Sequence, residues 1–313
     1  ADPDVERDRL ITETDWGYTL GAAERWAEAE AVLRPALATA ERRAAAAPDD
    51  FAARRDLSVA LERLGKVLNQ LGRTDEALPL LRRIGAMDEA HLALDPRNAQ
   101  TLHDIAASHD QLAQALWAAG DLQGAIAVFT RADEVLSRLL AVEPNLRSAE
   151  VDRAGVIGRR AQIRQESGHL QGALADMVQA LALQQAAADP EPTHSGLRYD
   201  LAVMRANTAE WLLAAGRGPD ADASIRQALE QFAAYRAQVP DDTGAVLGSA
   251  VSQALRGDIA WRGRRFDEAC AAFAEAERDW RLFFAPLGAP VDGDLAAEYG
   301  KTQRGLARCG KAG

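Results

Sequence analysis

The residues with types suited to chemistry are few, and most are spaced in ways that argue against it. His103 and His109 are six apart, which puts them on different sides of a helix, and no cysteine is near. They read as one polar-face and one packing histidine. Gly300-Lys301-Thr302 matches the end of a phosphate-binding loop, but Leu295 stands where that loop needs a glycine, and the segment has helical character. No G-x-S-x-G elbow or dinucleotide-binding glycine pattern occurs. Arg153, Arg159, Arg160 and Arg164 form a phosphate-binding patch or else pair internally with Glu150, Asp152, Glu166 and Asp176; the second reading is preferred. Asp8, Asp56, Asp104, Asp152 and Asp200 recur at a fixed interval, as acids complementing the start of repeated helices would. These residues point to no enzyme, no cofactor and no metal site.

That interval is 48 residues, and the whole chain obeys it. Gly72-Arg73-Thr74-Asp75-Glu76-Ala77 is followed by a helical run closing at Leu94-Asp95-Pro96; the next copy opens at Gly120 and closes at Pro144. A small residue recurs as Ala29, Ala77, Ala125, Ala173, Ala221 and Ala269, and a proline as Pro48, Pro96, Pro144, Pro192 and Pro240. Twelve residues before each alanine is another small residue: Gly17, Gly65, Ala113, Ala161, Ala209 and Gly257. Four after it comes a large apolar one: Leu33, Leu81, Phe129, Met177, Ile225 and Phe273. Each unit therefore reads as a helix hairpin in a stacked array. Thr74 is placed to cap its helix, and Pro35 lies deep enough to predict a bend. Arg264 stands where four units have a turn glycine, with Gly263 displaced by one. A polar helix over 293–309, with Gly305 in register, predicts a cap on the last apolar face.

In this frame the chain resembles the tetratricopeptide repeat family, whose signature is W-x2-L-G-x2-Y, A-x3-F and a closing P. Leu61, Leu64, Gly65, Leu68, Ala77, Leu81, Ile84 and Pro96 fit it, as do Leu112, Ala113, Leu116, Ala125, Phe129, Ala132 and Pro144. The family repeat is 34 residues long; the excess here divides into two insertions of about two helical turns, so both helices lengthen and keep their inward faces. The resemblance implies an all-α, right-handed superhelical solenoid. One domain over 1–313 would hold repeats at about 1–48, 49–96, 97–144, 145–192, 193–240 and 241–288, plus the capping helix.

A net charge of −11 speaks against nucleic acid as a partner, and no apolar run is long enough to span a bilayer. The chain opens at Ala1 with its first methionine at Met87, and so reads as a segment cut from a longer protein. Cys270 and Cys309 reach similar height if their helices pair antiparallel about Gly288. Separate thiols in a cytoplasmic protein are the preferred reading; a bridge would instead indicate an oxidising, extracytoplasmic compartment.

The resemblance implies a non-catalytic scaffold that holds a peptide or a partner's helix in the concave groove lined by first helices. The family's chaperone-tail clamp is not expected: Glu62 and Asp110 fall where its first lysine would be, and Asn207 matches one asparagine alone. The groove stripe falls on residues such as Val59, Arg63, Lys66 and Gln70. One column runs Tyr18, Lys66, Gln114, Gln162, Glu210, Asp258, from basic to acidic. Another runs Asp15, Arg63, Gln111, Arg159, Asn207, Leu255, and Trp117 and Trp261 stand one turn on as aromatic anchors. The alternative reading is a regulatory or sensor segment of a larger signalling enzyme, a kinase or nucleotide-dependent switch.

Overall fold

The computed structural model describes residues 2–188, 195–286 and 293–312. Pro192, Gly288 and Pro290 lie outside them. The described residues form thirteen helices and no strand. First helices are α1 (Pro3–Ala22), α3 (Phe51–Gln70), α5 (Ala99–Ala118), α7 (Arg147–Glu166), α9 (Ser195–Ala214) and α11 (Thr243–Arg262). Second helices are α2 (Trp26–Ala46), α4 (Thr74–Leu94), α6 (Leu122–Val142), α8 (Leu170–Ala188), α10 (Gly218–Gln238) and α12 (Phe266–Phe284); α13 (Gly293–Ala312) follows. Each is 19 to 21 residues long, about 30 Å, as the two-turn extensions require. The chain forms two compact units, Ala1–Ser167 and Gly168–Gly313, each a stack in which consecutive helices pack on one another.

The hairpin turns explain the glycine register. In four of them a left-handed residue is Gly72, Gly120, Gly168 or Gly216. Arg73 donates its backbone N–H to the Leu68 carbonyl at 2.9 Å, and Asp121, Arg217 and Arg265 do the same to Leu116, Leu212 and Ala260. In the first and last hairpins the same positive φ falls on Glu24 and Arg264. The displaced Gly263 does not take over the turn; its φ is −78°. Three first helices, α3, α5 and α11, are capped two residues past a proline, where Asp50, Asn98 and Asp242 accept backbone N–H bonds at 2.9 Å. Thr74 is not such a cap: it is the first helical residue and its hydroxyl donates to Asn69. α2 runs through Pro35 without a break.

Packing follows the small-to-large column pairing. All six column alanines are fully buried, as are Leu33, Phe129, Ile225 and Phe273. A Cβ on Gly17 would stand 2.5 Å from the Leu33 side chain, one on Gly65 2.7 Å from Leu81, and one on Gly257 2.6 Å from Phe273. Phe273 also fills the space a Cβ on Gly305 would need, so α13 repeats the contact of a first helix. On the same helix Leu295 and Tyr299 cover Trp280, whose indole N–H donates to the buried Thr302 hydroxyl at 3.1 Å. Gly300-Lys301-Thr302 is thus part of a packing helix.

The cysteine expectation is overturned. Cys270 in the first turns of α12 and Cys309 near the end of α13 are joined in a disulfide, their Cα atoms 5.7 Å apart. Antiparallel packing of the two helices sets these positions side by side. No helix among the described residues is long and apolar enough to cross a membrane.

Two outcomes are expected. Gly257→Leu should lower stability by about 1–3 kcal/mol, read as a lower urea midpoint at unchanged slope, because Phe273 has no room to retreat. Reducing the disulfide, which closes a loop with a sequence separation of 39, should lower it by about 4 kcal/mol in the chain-entropy limit. An unchanged thermal midpoint in reductant would refute the second.

Candidate functional site

In the first unit, neighbouring first helices touch directly, and their polar residues pair across the repeat. Arg7 bonds Asp56 at 2.9 Å and Arg55 bonds Asp104 at 3.0 Å, each 49 residues on; His103 approaches Asp152 at 3.8 Å. Asp56, Asp104 and Asp152 of the aspartate column therefore face a cation or imidazole of the preceding hairpin. Arg63 donates to Asp15 at 2.8 Å, and its guanidinium and the Lys66 ammonium lie 5.3 and 5.9 Å from the Tyr18 ring centre. Tyr18, Glu62, Arg63, Lys66 and Trp26 line a cavity of about 240 Å³.

Further along that unit, Gln114 and Arg159 converge on Asp110 at 2.8 and 3.0 Å, and the Trp117 indole N–H donates to Glu166 at 2.8 Å. Trp117 is thus a half-buried cross-repeat link rather than a free anchor. Gln111 and Gln162 are half-buried in the same columns. Arg160, only 5% exposed, shares Asp133 with Arg153 at 3.2 and 2.7 Å. The arginine group pairs internally, as preferred: Arg153 and Arg160 reach Asp133 and Arg159 reaches Asp110, both on the preceding hairpin, and Arg159 also acts on Asp152.

In the second unit, Asn207, Glu210 and Asp258 line a cavity of about 340 Å³ with Leu213, Val251 and Leu255. Lys301 of the capping helix also lines it, with two residues not singled out by sequence, Ser252 and Glu298. The register signals them, since α13 repeats a first helix, but its charges read as a cap. Lys301 bonds Glu298 at 2.6 Å, and Arg308 approaches Asp258 at 3.4 Å. Trp261 is half-buried against Phe266, ring centres 4.9 Å apart, with Arg308 at 6.0 Å. A second cavity of about 570 Å³ lies at the hairpin turns, bordered by Leu213, Pro219, Ile259 and Arg262.

Charge on this face is unusual in one respect. Burial pushes the Glu62 carboxyl above the ordinary range, opposed by Arg63 and Lys66 and reinforced by Asp104 and Asp110. Burial raises Asp152 too, against the pull of His103, and raises Asp200. With its pKa raised on folding, Glu62 favours the native state most below the ordinary carboxylate range, and that benefit is lost as pH rises through the folded value. Glu62→Gln should therefore be more stable than the parent at neutral pH, with the advantage vanishing below about pH 4. Urea titrations at the two pH values check this; a variant less stable at neutral pH would refute it.

Neither a protein-family model nor a curated protein matches the sequence. Solved structures do. BtubC (BKLC) from P. vanneervenii is similar at a TM-score of 0.61 and 16% identity, over 84% of this chain and 92% of that one. A Podosopora anserina putative kinesin light chain with nearly identical TPR-like repeats gives 0.50 and 21%, over 75% and 98%. A Pyrococcus horikoshii signal transduction ATPase with a tetratricopeptide repeat sensor gives 0.58 and 11%, over 96% of this chain but 42% of that one. At these identities the likeness is one of fold. With its hairpin geometry, small-to-large columns and signature residues, the chain is built of tetratricopeptide-type repeats in a long-helix form.

Proposed function

We propose that this chain is a non-catalytic interaction module that holds a peptide or partner helix on the faces of its first helices. One observation carries the reading. Each unit opens a cavity on that face, and residues singled out from the repeat frame line both: Arg63 and Lys66 in the first unit, Asn207, Glu210 and Asp258 in the second. The half-buried amide and guanidinium groups of Gln111, Gln114, Arg159 and Gln162 add donors suited to peptide carbonyls. Trp117 and Trp261 contribute edges and rigidity. Partners of this kind need no basic surface, in keeping with the net charge of −11.

A second reading makes the chain the sensor segment of a larger signalling enzyme. The likeness to an ATPase whose tetratricopeptide repeats are a sensor favours it. The Cys270–Cys309 bridge favours an oxidising compartment for this segment.

Peptides selected from a displayed random library against the whole chain test the proposal. Lys66→Glu should weaken the selected peptides by about tenfold and alter their salt dependence. Arg131→Glu, at an exposed ion pair on a second helix, should leave them unchanged. The opposite pattern would place binding on the second helices and refute the reading.

A further inference from the structure

The cavity between α9, α11 and α13 has a composition that selects its occupant. Its floor is aliphatic, formed by Leu213, Val251 and Leu255. Its charged lining comprises three acids, Glu210, Asp258 and Glu298, and two bases, Arg262 and Lys301. Two of the three acids are held by cations. Lys301 is held by Glu298 at 2.6 Å, and Arg308 reaches Asp258 only at 3.4 Å. Glu210 forms no ion pair among the described residues. Ser252, 1% exposed, lines the same cavity with its hydroxyl oxygen unpartnered. A buried hydroxyl left without a bond is costly unless something arrives to take it.

We infer that this cavity takes a lysine side chain of a bound peptide, a reading that rests on first-helix binding and names its chemistry. The four-carbon stem matches the aliphatic floor, and the ammonium matches the Glu210 carboxylate, which no cation among the described residues holds, beside the unpartnered Ser252 hydroxyl. Acceptors stand on two different helices, Glu210 and Asn207 on α9 and Asp258 and Ser252 on α11. Three divergent N–H donors can meet acceptors spread in this way, whereas a planar guanidinium fork needs them side by side. The volume, about 340 Å³, exceeds that of one such side chain and leaves room for water around the head.

The test uses the full chain, labelled for amide NMR, titrated with N-acetyl-lysine methylamide and, separately, with its norleucine and Nε-acetyl-lysine counterparts. The lysine probe should shift the amides of Glu210, Ser252 and Asp258 and bind about tenfold more tightly than either neutral probe. Glu210→Gln should remove that preference. Glu275→Gln, at an exposed pair with Arg278 on α12, controls for net charge and should keep it. Equal binding of the three probes, or equal effects of the two substitutions, overturns the inference. Selected peptides that bind the first helices without a lysine and ignore Glu210→Gln would overturn the lysine pocket and leave first-helix binding standing. A lysine preference intact in a chain whose selected peptides all bind second helices would uphold the pocket and remove the peptide groove.

Discussion

Everything in each unit depends on one contact: a side chain of four or more heavy atoms on the second helix set over a glycine or alanine on the first. Leu33 over Gly17, Leu81 over Gly65 and Phe273 over Gly257 bring paired helices close enough for the column alanines to be fully buried. Such a contact sets both separation and axial register, because a shift of one residue would drive a larger side chain into a filled space. Ala113 and Ala209 hold the same position and allow one methyl group. The fit is therefore adjustable by a carbon and little more.

Charge is laid over this frame with its own register. Among first helices the bonds span 48 to 50 residues, as in Arg63 to Asp15 and Arg308 to Asp258. Among second helices they span 42 or 43: Arg34 to Glu76, Arg73 to Glu30, Arg236 to Asp279 and Arg265 to Asp222. First helices lie close enough to touch, while the second helices are bridged by arginine's length. Each exposed pair contributes little alone. Their value lies in repetition, since a hairpin slipped by one turn would lose several at once.

How much of this could be read from residues alone varies by level. The period, the helix count and the small-to-large columns were legible because each is stated five or six times. The turn at Gly72 was legible for the same reason, but its continuation at Glu24 and Arg264 was not, since neither residue favours a positive φ. Ion-pair partners were illegible for a different reason. A charge on a helix face has neighbours on its own helix and on two others, and only the distance between helices decides among them; Asp133, shared by Arg153 and Arg160, lies on the preceding hairpin and was not among the acids expected. The disulfide turned on a single pair seen once, with no repetition to average over. Several residues of the two columns could be placed beside cavities from the repeat frame, whereas Ser252 and Glu298 escaped notice because burial and the seating of α13 define them.

The Cys270–Cys309 bond has a consequence for the order in which the second unit comes apart. A stacked array ordinarily frays from a terminal helix, which gains the conformational freedom of a free chain when it detaches. Here α13 is tied at its far end to the first turns of α12, so detachment releases a closed loop and little freedom. Fraying there becomes a joint event of two helices and the aromatic cluster around Trp280. On α1, by contrast, Val5 and Trp16 face solvent, though their counterparts Ala53 and Leu64 are buried one repeat later. Oxidation thus hems α13 to its neighbour, so that the two leave the stack together or not at all.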